Sequence, residues 1–110
     1  DLIRPAFYDS YHEIVPLQRK GGKLISSDVV GPICESGDYF AKDRPLPKLG
    51  EGDTIALLSA GAYGSVMGSN YNSRALPTEV LVKGKNHAVV RERQKIADIW
   101  ANEKTAKWQK

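Results

Sequence analysis

Ten glycines and six prolines interrupt this chain so often that no stretch before residue 92 can sustain a long helix. What remains is room for short strands between turns. Pro5 suits the first turn of a short helix, where its missing N–H costs nothing, and Arg4 and Tyr8 would then lie i,i+4 on one face. His12 to Val15, closed by Pro16, and Leu24 to Ile33, rich in β-branched residues, read as strands on either side of a Gly21-Gly22 turn. Pro45, Pro47, Gly50 and Gly52 mark a loop ahead of an apolar strand from Thr54 to Ser59. Val66 to Tyr71 is ambiguous. Glu79 to Val82 and His87 to Arg91 read as a hairpin across Lys83-Gly84-Lys85-Asn86, and Glu92 to Lys104 as a helix with Ile96, Ile99 and Trp100 on one face. The pattern predicts a mainly β fold, a small β-barrel or sandwich with a short N-terminal helix and a C-terminal helix. There is no internal repeat.

At 110 residues, 41% hydrophobic and 26% charged, the chain is the size of one domain with a single modest core. No apolar run approaches the roughly 20 residues of a membrane span, and no secretory leader opens the sequence. The lone cysteine cannot form an intrachain disulfide, as suits a reducing compartment, so a cytoplasmic protein is expected. The first residue is an aspartate that leads straight into a motif, which reads as a domain cut from a longer protein. The net charge of +3 is unevenly spread. Residues 83–110 carry eight Lys/Arg against three Asp/Glu, and residues 1–82 carry eight against ten. A basic hairpin and helix without interleaved aromatics is a solvated surface rather than a phosphate-tracking groove, so no nucleic-acid partner is expected.

The candidate chemistry lies in Cys34-Glu35-Ser36-Gly37-Asp38. It places a thiol, which can give a proton or act as a nucleophile, beside a carboxylate that can hold an ammonium group, in a bend that Gly37 permits. By itself this segment is also what a buried, inert cysteine at a strand end looks like. Three further motifs accompany it: Asp1-Leu2-Ile3-Arg4-Pro5-Ala6-Phe7-Tyr8 before it, and Gly61-Ala62-Tyr63-Gly64 and Ser69-Asn70-Tyr71-Asn72-Ser73-Arg74 after it. In this order and at this spacing the four motifs resemble the C-terminal part of the diaminopimelate decarboxylases, which are fold-type III pyridoxal-phosphate enzymes. Those subunits pair a β/α barrel with a C-terminal β-domain, and the resemblance covers nearly all of residues 1–110.

The resemblance implies roles for particular residues. Cys34 corresponds to the catalytic proton donor that acts after carbon dioxide leaves, a task that suits a thiol because thiols are mostly protonated near neutrality. Glu35 corresponds to the ligand of the substrate's distal ammonium. Arg4 is the partner of the distal carboxylate of meso-diaminopimelate, with Tyr8 adding a hydroxyl. Tyr63 would contact both the cofactor phosphate and the substrate. Without the resemblance, Arg4 and Tyr8 would read as a helix-surface arginine and a half-buried tyrosine, Glu35 as a surface carboxylate, and Tyr63 as an ordinary turn tyrosine. Asp38 reads either as a residue that helps join subunits or as an Asx turn, and Asn70 to Arg74 as structural. His12 and His87 have no metal-ligand spacing with each other or with Cys34, so no metal site is expected.

By the same resemblance the cofactor is pyridoxal 5′-phosphate. Its Schiff-base lysine and glycine-rich phosphate cradle would both lie in the barrel, outside this chain. The expected assembly is a head-to-tail homodimer in which Cys34 and Glu35 complete the partner's site, with meso-diaminopimelate as substrate and L-lysine as product. Two alternatives stay open: a related decarboxylase of ornithine, lysine or carboxynorspermidine, against which Arg4 argues because those substrates include no second carboxylate for it, and a non-catalytic β-domain that binds a protein partner.

Overall fold

The computed structural model describes residues 4–109, so Asp1, Leu2 and Ile3 of the first motif, and Lys110, lie outside the described residues. Two compact units divide the chain, Asp1–Gly68 and Ser69–Lys110. In the first, α1 (Arg4–Tyr8) is followed by β1 (Ile14–Pro16), β2 (Leu24–Val30), β3 (Tyr39–Pro47) and β4 (Ile55–Leu57), and then by a 3₁₀ turn over Ser65–Met67. The second unit holds a 3₁₀ turn over Tyr71–Ser73, the strands β5 (Glu79–Lys83) and β6 (Asn86–Arg91), and α2 (Ile96–Ile99). The fold is mainly β with a short helix near each end, as the turn pattern predicts. The strands form three antiparallel pairs, β1 with β4, β2 with β3 and β5 with β6, and are not closed into a barrel.

Local chemistry accounts for the element ends. Pro5 is buried in the first turn of α1, and the helix stops where Asp9 enters the left-handed region at φ 50°, a conformation aspartate tolerates better than most residues. β2 and β3 pair from Leu24 opposite Pro47 to Val30 opposite Tyr39, with the register slipping between Ser27 and Val29 and again before Val30. At the first slip Asp43 takes φ 49°, and its N–H donates to Asp28 Oδ1 at 2.8 Å instead of to the ladder. This is a bulge whose displaced donor is met by a side chain.

β3 corrects the expectation of a loop at Pro45 and Pro47. Both prolines are strand residues opposite Ser26 and Leu24. Being two residues apart they share one parity, and an edge strand can carry its missing N–H groups on the side that needs no partner. Ile14, Ala41 and Leu46 form the buried core, with Val29, Phe40, Leu49, Ile55 and Leu57 packed against it. His12 is also buried, at 1% exposure. Its Nδ1 lies 3.1 Å from the Leu58 carbonyl, its own carbonyl accepts from Arg44 at 2.8 Å, and its Nε2 has no hydrogen-bond partner among the described residues. The ring thus ties the stretch before β1 to the residue after β4, and the His12 carbonyl ties the same stretch to β3.

In the second unit, the expected hairpin forms around Gly84 at φ 59°. Glycine at the first central position, with Lys85 outside the left-handed region, is the II′ pattern that matches strand twist. Arg91 and Glu79 pair across the strands at 2.8 Å. Gln94 Oε1 accepts from Asn70 Nδ2 at 2.6 Å and from the Leu76 N–H at 3.0 Å, so the segment around Asn70 does structural work within this unit. The predicted helix from Glu92 to Lys104 shrinks to Ile96–Ile99. Ile96 and Trp100 on its intended apolar face are about half exposed, so packing does not extend a helix this short.

Candidate functional site

Three of the residues singled out in the sequence meet in one place. Arg4 and Tyr8, one turn apart on α1, line an open concavity of about 620 Å³ together with Ser10, Tyr63 and Met67. Tyr63 is 55 residues beyond Tyr8 in sequence. It arrives by way of the turn after β4, where the Ser65 N–H lies 2.8 Å from the Ala60 carbonyl and 3.0 Å from that of Gly61. The Arg4 guanidinium carbon sits 5.8 Å from the centre of the Tyr63 ring, within the range of a cation–π contact. Tyr8 and Tyr63 are largely exposed, at 68% and 71%. The concavity thus offers one fixed cation and two phenol hydroxyls, a donor set suited to an anionic group such as a carboxylate or phosphate. Ser10 and Met67 carried no signal in the sequence that marked them as lining.

The Cys34 loop is built differently. Cys34 is exposed and free, so it is not the buried cysteine of the alternative reading. The Glu35 N–H lies 2.9 Å from the Ile33 carbonyl, the Asp38 N–H 3.0 Å from the Glu35 carbonyl, and the Tyr39 N–H 2.9 Å from the Gly37 carbonyl. Glu35 turns back so that its Oε1 accepts from the Gly37 N–H at 2.9 Å, which fixes the aim of the carboxylate. A Cβ placed on Gly37 would lie 3.5 Å from Cβ of Ala6, so this bend packs against α1. Neither Cys34 nor Glu35 lines the Arg4–Tyr63 concavity.

Asp38 corrects the Asx-turn reading. It is buried, at 3% exposure, and its Oδ2 accepts from the N–H of Ile33, five residues earlier, at 3.1 Å. Its carbonyl accepts from the Gly31 N–H at 2.7 Å. A Cβ placed on Gly31 would overlap the Asp38 carboxylate. Gly31 was not singled out in the sequence, and only its place opposite Asp38 gives it meaning. Among the described residues no three His, Cys, Asp or Glu side chains gather as metal ligands, and no helix is long and apolar enough to cross a membrane.

The profile of the pyridoxal-dependent decarboxylases' C-terminal sheet domain matches residues 1–61. The chain belongs to that family. It is 44% identical over 98% of its length to the diaminopimelate decarboxylase of Zymomonas mobilis, covering 25% of that protein. With the Haemophilus influenzae enzyme the identity is 50% over 96% of the chain and 25% of the relative. Among solved structures, the diaminopimelate decarboxylase of M. jannaschii superposes with a TM-score of 0.89 at 39% identity, over 97% of this chain and 24% of that one. The Helicobacter pylori enzyme complexed with L-lysine gives 0.84 at 41% identity, over 93% and 25%. The chain spans about a quarter of the length of these relatives.

Proposed function

We propose that residues 1–110 are the C-terminal β-domain of a diaminopimelate decarboxylase, supplying substrate-binding and proton-donating groups for conversion of meso-2,6-diaminopimelate to L-lysine and carbon dioxide, the last step of lysine biosynthesis. The observation that carries this reading is the convergence of Arg4, Tyr8 and Tyr63 on one concavity. A substrate with an amino acid head at each end needs its distal carboxylate held while the other centre reacts, and a guanidinium flanked by hydroxyl donors meets that need. The substrates of ornithine and lysine decarboxylases carry only the carboxylate that leaves, and so have no second one to present to Arg4. The relatives named above support the assignment.

The same donors suit pyridoxal phosphate, with Tyr63 the residue of this chain that would touch its phosphate. When bound, that cofactor supplies the electron sink that lets the carboxylate leave as carbon dioxide. Glu35, with one oxygen held by Gly37, presents its other oxygen to the distal ammonium. Cys34 holds a proton on an exposed Sγ and gives it to the carbon that lost the carboxylate. The family resemblance assigns Cys34 and Glu35 to a site in the partner subunit of a C₂ dimer, where reciprocal contacts make two shared sites, and their place off the Arg4–Tyr63 concavity agrees with that assignment.

The decisive experiment uses the full-length protein. Arg4→Ala and Glu35→Ala each lose a charge-assisted contact of about 1.5–3 kcal/mol, a fall in kcat/KM of roughly 10–150-fold, with cofactor content retained. Unchanged kinetics for both would overturn the substrate assignment. Mixed dimers of a Cys34→Ala variant and a variant lacking the barrel lysine recover roughly a quarter of wild-type activity if Cys34 acts across the interface. If subunit exchange is verified and activity stays at the level of the parents, Cys34 does not act in trans.

A further inference from the structure

The loop that carries Cys34 and Glu35 has its own latch. Asp38 is a short, buried side chain whose carboxylate receives the Ile33 N–H, while its carbonyl receives the Gly31 N–H. The carboxylate is pressed so closely on Gly31 that a Cβ there would overlap it. Gly31 does not take a left-handed φ, unlike Gly22, Gly52 and Gly84, so glycine is needed here for space and not for backbone freedom. The two hydrogen bonds that Asp38 accepts, from Gly31 and from Ile33, span residues 31–38, with the thiol and carboxylate of Cys34 and Glu35 between their ends. The turn contacts inside the loop bend the chain, and Asp38 ties its two ends together through a side chain.

We propose that Asp38, seated on Gly31, is a positioning residue for Cys34 and Glu35. It sets where the thiol and the carboxylate are presented without touching substrate itself. This rests on the proposed function for its kinetic consequence, though not for its structural one. Shortening Asp38 releases the Ile33 N–H and unpins the loop. Cys34 then loses its fixed height and Glu35 its fixed aim, so turnover and substrate binding change together while groups elsewhere are left alone. An asparagine keeps the volume and one acceptor oxygen for Ile33, and so preserves most of the latch.

The test compares wild type, Asp38→Ala, Asp38→Asn and Gly31→Ala in the full-length protein. Three readings are taken: kcat and KM for diaminopimelate, cofactor content from absorbance, and the rate at which iodoacetamide alkylates the Cys34 peptide, followed by mass spectrometry. Asp38→Ala is expected to lower kcat tenfold or more, to raise KM several-fold and to change the alkylation rate several-fold, with cofactor content unchanged. Asp38→Asn is expected to restore most of each loss. Gly31→Ala, which displaces the same carboxylate from the other side, is expected to reproduce the alanine phenotype, and it decides the matter if Asp38→Ala does not fold. Wild-type alkylation in both Asp38→Ala and Gly31→Ala would overturn the proposal. So would weakened dimerisation with unaltered alkylation, because Asp38 would then be an interface residue. If wild type has no activity on diaminopimelate, the functional reading fails, and the alkylation rates still decide the role of Asp38.

Discussion

Two loops of the first unit are closed by an aspartate that accepts a hydrogen bond from an earlier backbone N–H, and they differ in everything else. At residues 31–38 the carboxylate of Asp38 is buried against Gly31. At residues 50–53 Asp53 Oδ2 takes the Gly50 N–H at 2.7 Å, while Oδ1 takes the Lys20 ammonium at 2.8 Å near the surface. A buried carboxylate depends on shape, because a misplaced acceptor there leaves an unsatisfied donor without water to replace it. A half-buried one beside an ammonium depends more on charge, which solvent and salt can weaken. Cys34 and Glu35 sit on the loop closed by shape.

The comparison breaks most readily at the glycines. A Cβ on Gly31 meets the Asp38 carboxylate head-on, whereas one on Gly50 would lie 3.7 Å from Asp53 Oδ2, an ordinary contact. In the full-length protein Gly31→Ala is expected to cost about 1–3 kcal/mol by overpacking, and Gly50→Ala to leave the unfolding midpoint nearly unchanged. Equal midpoints for the two variants in denaturant titrations would show that the loops are closed alike.

A smaller effect separates the loops by pH. The Gly50 N–H, and after it the Lys20 ammonium, hold the Asp53 carboxyl below its ordinary value of 3.8. A folded pKa below the unfolded one contributes stability that is fully present above the unfolded value and is lost as pH falls through the folded one. Wild type is therefore expected to be more stable than Asp53→Asn at pH 5, and the gap to close as pH drops below about 3.8 toward the folded pKa. A gap that stays constant across this window in thermal unfolding would mean that ionisation of Asp53 contributes nothing.

The smallest effect is electrostatic. Lys20→Met is expected to lower the unfolding midpoint slightly at low salt, with the difference from wild type fading toward 1 M salt, where the screening length is about 3 Å. A difference insensitive to salt would assign the loss to packing of the lysine stem instead of its charge.

Much of the architecture was legible in the chain because its signals are local. Gly84 demands a tight hairpin, Pro5 opens a helix, and β-branched residues mark β2, so element types follow from neighbours a few positions apart. β3 was hidden because proline is informative about a strand only once its edge position and parity are known. The C-terminal helix was overestimated because periodicity marks an apolar face without showing that anything covers it.

At the candidate site the division is similar. The sequence by itself determined which side chains can bind an anion, hold an ammonium or give a proton, since those capacities belong to Arg4, Tyr8, Tyr63, Glu35 and Cys34 whatever surrounds them. It also placed Arg4 and Tyr8 on one face, because helical spacing is a local rule. Only the tertiary structure brought Tyr63 to Arg4 across more than 50 residues, left Cys34 exposed, and set Asp38 against a glycine that nothing in the sequence distinguished. The reason is physical: bonding capacity is covalent and travels with the residue, whereas convergence and close fit arise from strand pairing and burial between distant segments.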